Sequence, residues 1–181
     1  MTDVSIDNFR YFLEDLEKKN EERIYYWYKF FKGSFAHEMT HQLRNELIEE
    51  ENTGQEIASH AVEVLSTEGL NPILDFRLKD MTLNPKTSYA QDVIASLKVI
   101  EQKLSNLKDC TYKPKDFTSK ELNKAILSIS EDKREKILSD LAQEIIKASP
   151  IELLKLAAKI NVIPIKNPEP ANLIEKLEKA S

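Results

Sequence analysis

Apolar residues recur along most of this chain at intervals of three and four, which is the spacing of one face of an α-helix. Runs that alternate apolar and polar residues, as strands do, are nearly absent. The pattern predicts an all-α protein. Its helices are expected at residues 6–32, 35–51, 55–67, 88–107, 119–128, 131–148, 150–160 and 170–180. Gly33-Ser34 is expected to end the first helix, and Asn52-Thr53-Gly54 to form a turn before the third.

Residues 110–117 lack this periodicity and include Cys110 and Pro114. We therefore predict a linker there, between an N-terminal helical bundle at residues 1–109 and a smaller C-terminal helical region at residues 118–181. Residues 150–181 are typical of a helix, an extended loop and a second helix. Some nucleic-acid-binding proteins carry such a module, but its leucines are also suited to core or partner contacts.

Composition narrows the classes of function. A chain of 181 residues that is 41% apolar and has only three glycines can bury a sizeable core. No apolar run reaches the roughly 20 residues needed to span a membrane, and the first residues do not resemble a secretory signal. A single cysteine is typical of a reducing compartment. We therefore expect a cytoplasmic protein that does not insert into membranes.

Charge argues against a nucleic-acid partner. The formal net charge is -5, and residues 119–181 contain no aromatic residue that could stack on a base. Acidic residues are concentrated at residues 33–70, which contain eight acidic residues and one basic residue, Arg44. All three histidines, His37, His41 and His60, lie in the same segment. Imidazole and carboxylate are ligands for iron, manganese and zinc, so this segment is a candidate metal site; a solvated acidic helix end is the alternative.

Residues 37–41 spell His-Glu-x-x-His, the zincin motif. Helical spacing places His37 and His41 on one face with Glu38 beside them as a base, which supports a zinc metallopeptidase hypothesis. The sheet that precedes this motif in zincins is not predicted here.

A helical wheel also places the two imidazoles away from the core, unless a second layer of structure covers them. The predicted core face of this helix consists of Phe35, Ala36, Met39, Leu43 and Leu47.

Two carboxylates fall within this apolar arc on the wheel, Glu46 and Glu50. A carboxylate that points at a core is costly unless a positive group meets it. Arg23 could supply that charge, or the carboxylates could bind a metal. If the turn at 52–54 forms a hairpin, Glu46 and His60 lie nearly level and could converge.

Residues 25–72, YYWYKFFKGSFAHEMTHQLRNELIEEENTGQEIASHAVEVLSTEGLNP, resemble the haem-oxygenase-like helical fold. The similarity is to the branch with thiaminase-type, pyrroloquinoline-quinone-synthase-type and di-iron oxidase-type members. It implies an iron site in which Glu50 and His60 are ligands and Glu21 or Glu22 is a third. Such members carry further ligands on a later helix, where this chain has no histidine. Either His41 or a carboxylate such as Asp92 replaces them, or the site holds a single metal ion, or the fold persists without metal.

The aromatic run Tyr25, Tyr26, Trp27 and Tyr28 could form the wall of a pocket for a flat molecule, or could belong to the core.

Two functions follow from the sequence. The first is a non-catalytic helical subunit that docks to a protein partner or to a second copy of itself and needs no cofactor. The second is a metal-binding protein of the haem-oxygenase-like type, with iron as cofactor and oxidation of a small molecule as its reaction; zinc is a lesser alternative. The candidate ligands are Glu22, His37, His41, Glu46, Glu50 and His60.

Overall fold

A computed structural model of the chain describes residues 5–48, 52–69, 88–110 and 119–158. These ranges contain seven helices and no strand, which confirms the all-α prediction. The helices are α1 (Ile6–Glu17), α2 (Glu21–Leu47), α3 (Asn52–Ser66), α4 (Ser88–Ser105), α5 (Ser119–Leu127), α6 (Glu131–Lys147) and α7 (Pro150–Ala158). Within this part of the chain, no helix is long and apolar enough to cross a membrane.

Helix α3 lies at the centre and packs against α2, α4, α6 and α7. One hydrophobic core includes side chains from α3 to α7. Its fully buried members include Ile57, Leu97, Leu122, Ile145 and Leu153. The two regions predicted on either side of residues 110–117 therefore share a core. Cys110 itself is buried in that core, while residues 111–117 lie outside the described residues.

The first predicted helix is divided at a different place from the one expected. The backbone breaks at Lys19, which has a φ of 50°, and Asn20 then caps α2 by accepting a hydrogen bond from the Arg23 N–H at 3.3 Å. Gly33 and Ser34 do not end a helix, because α2 continues through both and buries them. The asparagine cap is a stronger local signal than one glycine, which costs about 1 kcal/mol inside a helix.

The predicted turn at residues 52–54 is also wrong, since these residues form the first turn of α3. Asparagine and threonine favour helix starts as well as turns, so Asn52-Thr53 is compatible with either structure. The other described helices begin and end within three residues of the predicted positions, and Ser149 caps α7 by accepting from the Glu152 N–H. The predicted helix at 170–180 and the extended loop before it lie outside the described residues.

Gly69, after the end of α3, is held in a conformation that favours glycine. Its φ is +147°, and the Thr67 hydroxyl donates to its carbonyl at 2.7 Å. A Cβ at this position would overlap the side-chain oxygen of Asn123 in α5. The positive φ favours glycine at this position, while the Asn123 side chain could rotate to make room for a Cβ.

The orientation of α2 is the reverse of the predicted one. Phe35 and Leu47, assigned to its core face, are 68% and 60% exposed, whereas His37 is only 5% exposed. The buried side of the helix is formed by Trp27, Phe30, Gly33, Ser34, His37, Thr40 and Arg44. Thr40 and Arg44 can be buried on this side because their polar groups find hydrogen-bond partners. The Thr40 hydroxyl donates to the Ala36 carbonyl, and Arg44 donates to carbonyls of α6.

Candidate metal centre

Three imidazoles and two carboxylates meet between α2 and α3. His37 and His41 come from α2, one helical turn apart, and Glu56, His60 and Glu63 come from α3 at spacings of four and three. Residues at these spacings share one face of a helix, so the two sets face each other where α2 packs on α3. We call these five side chains the His–Glu cluster.

The Nε2 atoms of the three histidines surround the carboxylate of Glu56. His41 Nε2 lies 3.4 Å from Glu56 Oε1, and His60 Nε2 lies 3.5 Å from Glu56 Oε2. His37 Nε2 lies 3.8 Å from the same Oε2 and 3.2 Å from His41 Nε2. Three imidazole nitrogens and one carboxylate therefore converge on a small volume.

The opposite ring nitrogens, Nδ1, each face an oxygen. Glu63 Oε2 lies 3.4 Å from His37 Nδ1 and 3.3 Å from His60 Nδ1. Gln55 Oε1 lies 3.3 Å from His41 Nδ1, and the Gln55 amide in turn donates to Asn45 Oδ1 at 2.7 Å. A bound cation would need the proton on Nδ1, where these oxygens are placed to accept it; without a cation, the Glu56 carboxylate competes for a proton on Nε2.

The cluster has a buried end and an accessible end. His37, His60 and Glu63 are buried, whereas His41 and Glu56 are partly exposed. Burial lowers the pKa of His60, which favours its neutral form. Burial would raise the pKa of Glu63, but the neighbouring imidazoles of His37 and His60 hold that pKa down at about 2. An ionised carboxylate thus lies behind two imidazoles.

A third carboxyl, Asp92 of α4, belongs to the same electrostatic environment. Burial raises its pKa to about 7, and the negative charge of Glu56 contributes to the shift. Asp92, which the sequence had offered as a replacement ligand, is therefore influenced by the cluster.

Asp92→Asn is expected to stabilise the metal-free protein at about pH 8 by about 1–2 kcal/mol, after allowance for solvent screening. The folded Asp92 holds a proton up to a pKa of about 7, whereas the unfolded chain loses it near 3.8. The contribution of this group to stability therefore falls as pH rises through this window, and asparagine removes that fall.

Urea unfolding at about pH 8 and about pH 4 measures the effect of Asp92→Asn, with the exposed Asp140→Asn as the matched control. Most of the gain should be lost at the lower pH, where the folded carboxyl is protonated and the unfolded one is close to half protonated. An equal gain at both values would contradict the assignment.

The carboxylates that the sequence predicts as metal ligands are not part of the His–Glu cluster, as far as the structure describes them. Glu46 is exposed, and Glu22 is exposed in the first turn of α2, about 22 Å along the helix from His37. Glu50 lies outside the described residues. Arg23, offered as a partner for Glu46 or Glu50, instead pairs with Asp15 at 3.2 Å.

The aromatic run does not form one pocket wall. Tyr25 and Tyr28 are more than half exposed and stack on each other, while Trp27 is buried and donates to Asp15 Oδ2 at 2.7 Å. Trp27 lies about 15 Å along α2 from His37, so it is remote from the His–Glu cluster.

Glu56 and Glu63 were missed because the wheel turned the histidines of α2 outward. The signal is nevertheless in the sequence. Glu56, His60 and Glu63 fall at i, i+4 and i+7, which is one helical face. The sequence alone gives no reason to bury His37 and His41, so it does not indicate that this face of α3 packs against them.

Comparison with known proteins returns no matching family model, and no curated protein or solved structure matches the chain. The resemblance to the haem-oxygenase-like fold therefore stays a prediction.

Proposed function

We propose that this protein binds one divalent transition-metal ion through His37, His41, His60 and Glu56. The observation that carries the proposal is the arrangement of the imidazoles: each directs Nε2 toward Glu56 and has an oxygen at Nδ1. Metal-binding histidines almost always have such a second partner, which fixes the ring and its tautomer. Any buried imidazole needs hydrogen-bond partners, so the feature that favours a metal site is that all three Nε2 atoms approach one carboxylate.

The distances within the group His37, His41 and Glu56 suit a tetrahedral ion. Metal–nitrogen bonds of about 2.0–2.1 Å in tetrahedral geometry place the ligand atoms about 3.3–3.4 Å apart. The Nε2 atoms of His37 and His41 are 3.2 Å apart, and Glu56 oxygens lie 3.4 Å from His41 and 3.5 Å from His60. His60 and His37 approach the other oxygen of Glu56, Oε2, at 3.5 and 3.8 Å, so the carboxylate and the His60 ring must move for all three imidazoles to share one ion.

Ligand chemistry limits the identity of the ion. Three imidazoles and one carboxylate favour zinc or iron over magnesium or calcium, which prefer oxygen ligands. The carboxylates of Glu56 and Glu63 together carry the two negative charges that balance a divalent ion in a partly buried site. Glu56 and His41 form the accessible end, so the ion would enter from their side.

The test is a titration of chelator-treated protein with Zn²⁺, with Co²⁺ as a spectroscopic substitute and with Fe²⁺ under anaerobic conditions. We expect one ion per chain and the visible absorption of tetrahedral Co²⁺. His60→Ala should abolish stoichiometric binding. Glu46→Ala is the control, because Glu46 is an exposed carboxylate of α2 outside the cluster, and it should bind like the unchanged chain.

Circular dichroism establishes that both variants are folded. Failure of all three metals to bind the unchanged chain would refute the proposal. Equal binding by His60→Ala would refute the assigned ligands.

A further inference from the structure

Helix α2 carries an exposed apolar ridge on the side away from the metal centre. Its members, Phe35, Met39, Leu43 and Leu47, are 68%, 36%, 37% and 60% exposed. They follow one another at intervals of four, so they form one continuous row of the kind that packs into the grooves of another helix. We call them the α2 ridge.

We propose that two copies of this chain pair through the α2 ridge, with the two α2 helices antiparallel across a twofold axis at Met39. In a twofold pair, residue i of one copy contacts residue j of the other, and j contacts i. With the axis at Met39, Phe35 lies opposite Leu43 of the second copy, and Met39 lies opposite itself. The row is therefore complementary to its own copy.

Charge complementarity argues for a second copy in this orientation. Lys32 and Glu46 are both exposed, and they lie seven residues before and seven residues after Met39. The antiparallel arrangement brings Lys32 level with Glu46 of the second copy, and symmetry makes this pair twice. A parallel pair would place lysine beside lysine and glutamate beside glutamate, which repel.

The helix geometry allows the pairing. Two helices that interdigitate rows of spacing four cross at about −50°, with axes about 8–10 Å apart, the commonest class in globular proteins. Lys32 has a long flexible stem that can reach a carboxylate across such a crossing. The His–Glu cluster lies on the opposite, buried side of α2, so pairing and metal binding can succeed or fail separately.

Sedimentation velocity of the full chain over a wide range of concentrations is the test. We expect a dimer whose population rises with concentration. Met39→Lys should give a monomer, because it places two positive charges at the twofold axis. Leu127→Lys is the control: Leu127 is 50% exposed on α5, outside the ridge, and its replacement should leave the dimer unchanged.

A charge exchange tests the orientation. Lys32→Glu alone and Glu46→Lys alone should each weaken the dimer about tenfold, since each turns two attractive pairs into repulsive ones. The double variant Lys32→Glu/Glu46→Lys should recover the original affinity.

A chain that stays monomeric at every concentration would overturn the proposal, whatever else covers the ridge. A dimer that is insensitive to Met39→Lys would also overturn it. A double variant as weak as the single ones would overturn the antiparallel arrangement.

Discussion

Arg44→Ala is expected to lower the free energy of unfolding by about 3–5 kcal/mol. Arg44 in α2 has no exposed surface, and its Nη1 donates to the carbonyls of Ile145 at 2.9 Å and Ile146 at 2.8 Å. These carbonyls belong to the last turn of α6; the Ile145 carbonyl also accepts from the Ala148 N–H at 3.3 Å, whereas the residue four positions after Ile146 is Pro150, which has no N–H to donate. The guanidinium also places a positive charge at the negative end of the helix dipole.

Alanine at position 44 would remove both hydrogen bonds, leave a cavity of most of an arginine side chain and loosen α2 from α6. Arg44→Lys keeps the charge but not the planar set of donors, so a smaller loss of about 1–2 kcal/mol is expected. Urea unfolding followed by circular dichroism measures both changes.

Arg10→Ala is the matched control for Arg44→Ala, because Arg10 lies on the surface of α1. Its effect should stay within about 0.5 kcal/mol. A loss of stability for Arg44→Ala no larger than that of Arg10→Ala would contradict the role assigned to the buried guanidinium.

Glu63→Gln is expected to weaken metal binding about 10–100-fold, although Glu63 is not among the proposed ligands. Its Oε2 atom lies within 3.4 Å of Nδ1 in both His37 and His60. Glutamine is nearly the same size but is neutral, and its single amide oxygen is a weaker acceptor for two imidazoles. Both ligands would lose orientation and basicity together.

Chelator competition measures the affinity of Glu63→Gln for Zn²⁺, with Glu135→Gln, an exposed change on α6, as the control. Unchanged affinity in Glu63→Gln would show that Glu63 does not support the ligands.

The same variant should alter the pH dependence of stability in the metal-free protein. The folded pKa of Glu63, about 2, lies below its ordinary value of 4.5. Its ionised form therefore stabilises the fold above about pH 4.5, and that contribution is lost as pH falls toward 2. Glu63→Gln should be destabilising at about pH 6 and nearly neutral near pH 2. If Glu63→Gln lowered the free energy of unfolding equally at both pH values, the lowered pKa of Glu63 would be contradicted.

Local features of the sequence predicted the helices well. Apolar spacing places α4, α5 and α6 within a few residues of their observed ranges. Serine favours helix caps, and Ser149 accepts from the Glu152 N–H at the start of α7, whereas Ser130 before α6 makes no such side-chain bond. These features depend on neighbours within one or two turns, so the sequence alone contains them. The sequence also confined all three histidines and most of the excess acidity to residues 33–70, which contain most of the candidate site.

The sequence by itself therefore determined the helical class, most helix ends and the segment in which to seek a metal. Only the tertiary structure decided which side of α2 is buried, and with it that His37 and His41 meet Glu56 rather than Glu46. The hydropathy pattern predicted that the opposite side of α2 is buried, because it counts the cost of burying each polar group without its partners. That cost disappears when distant elements supply partners, as α6 does for Arg44 and α3 for His37.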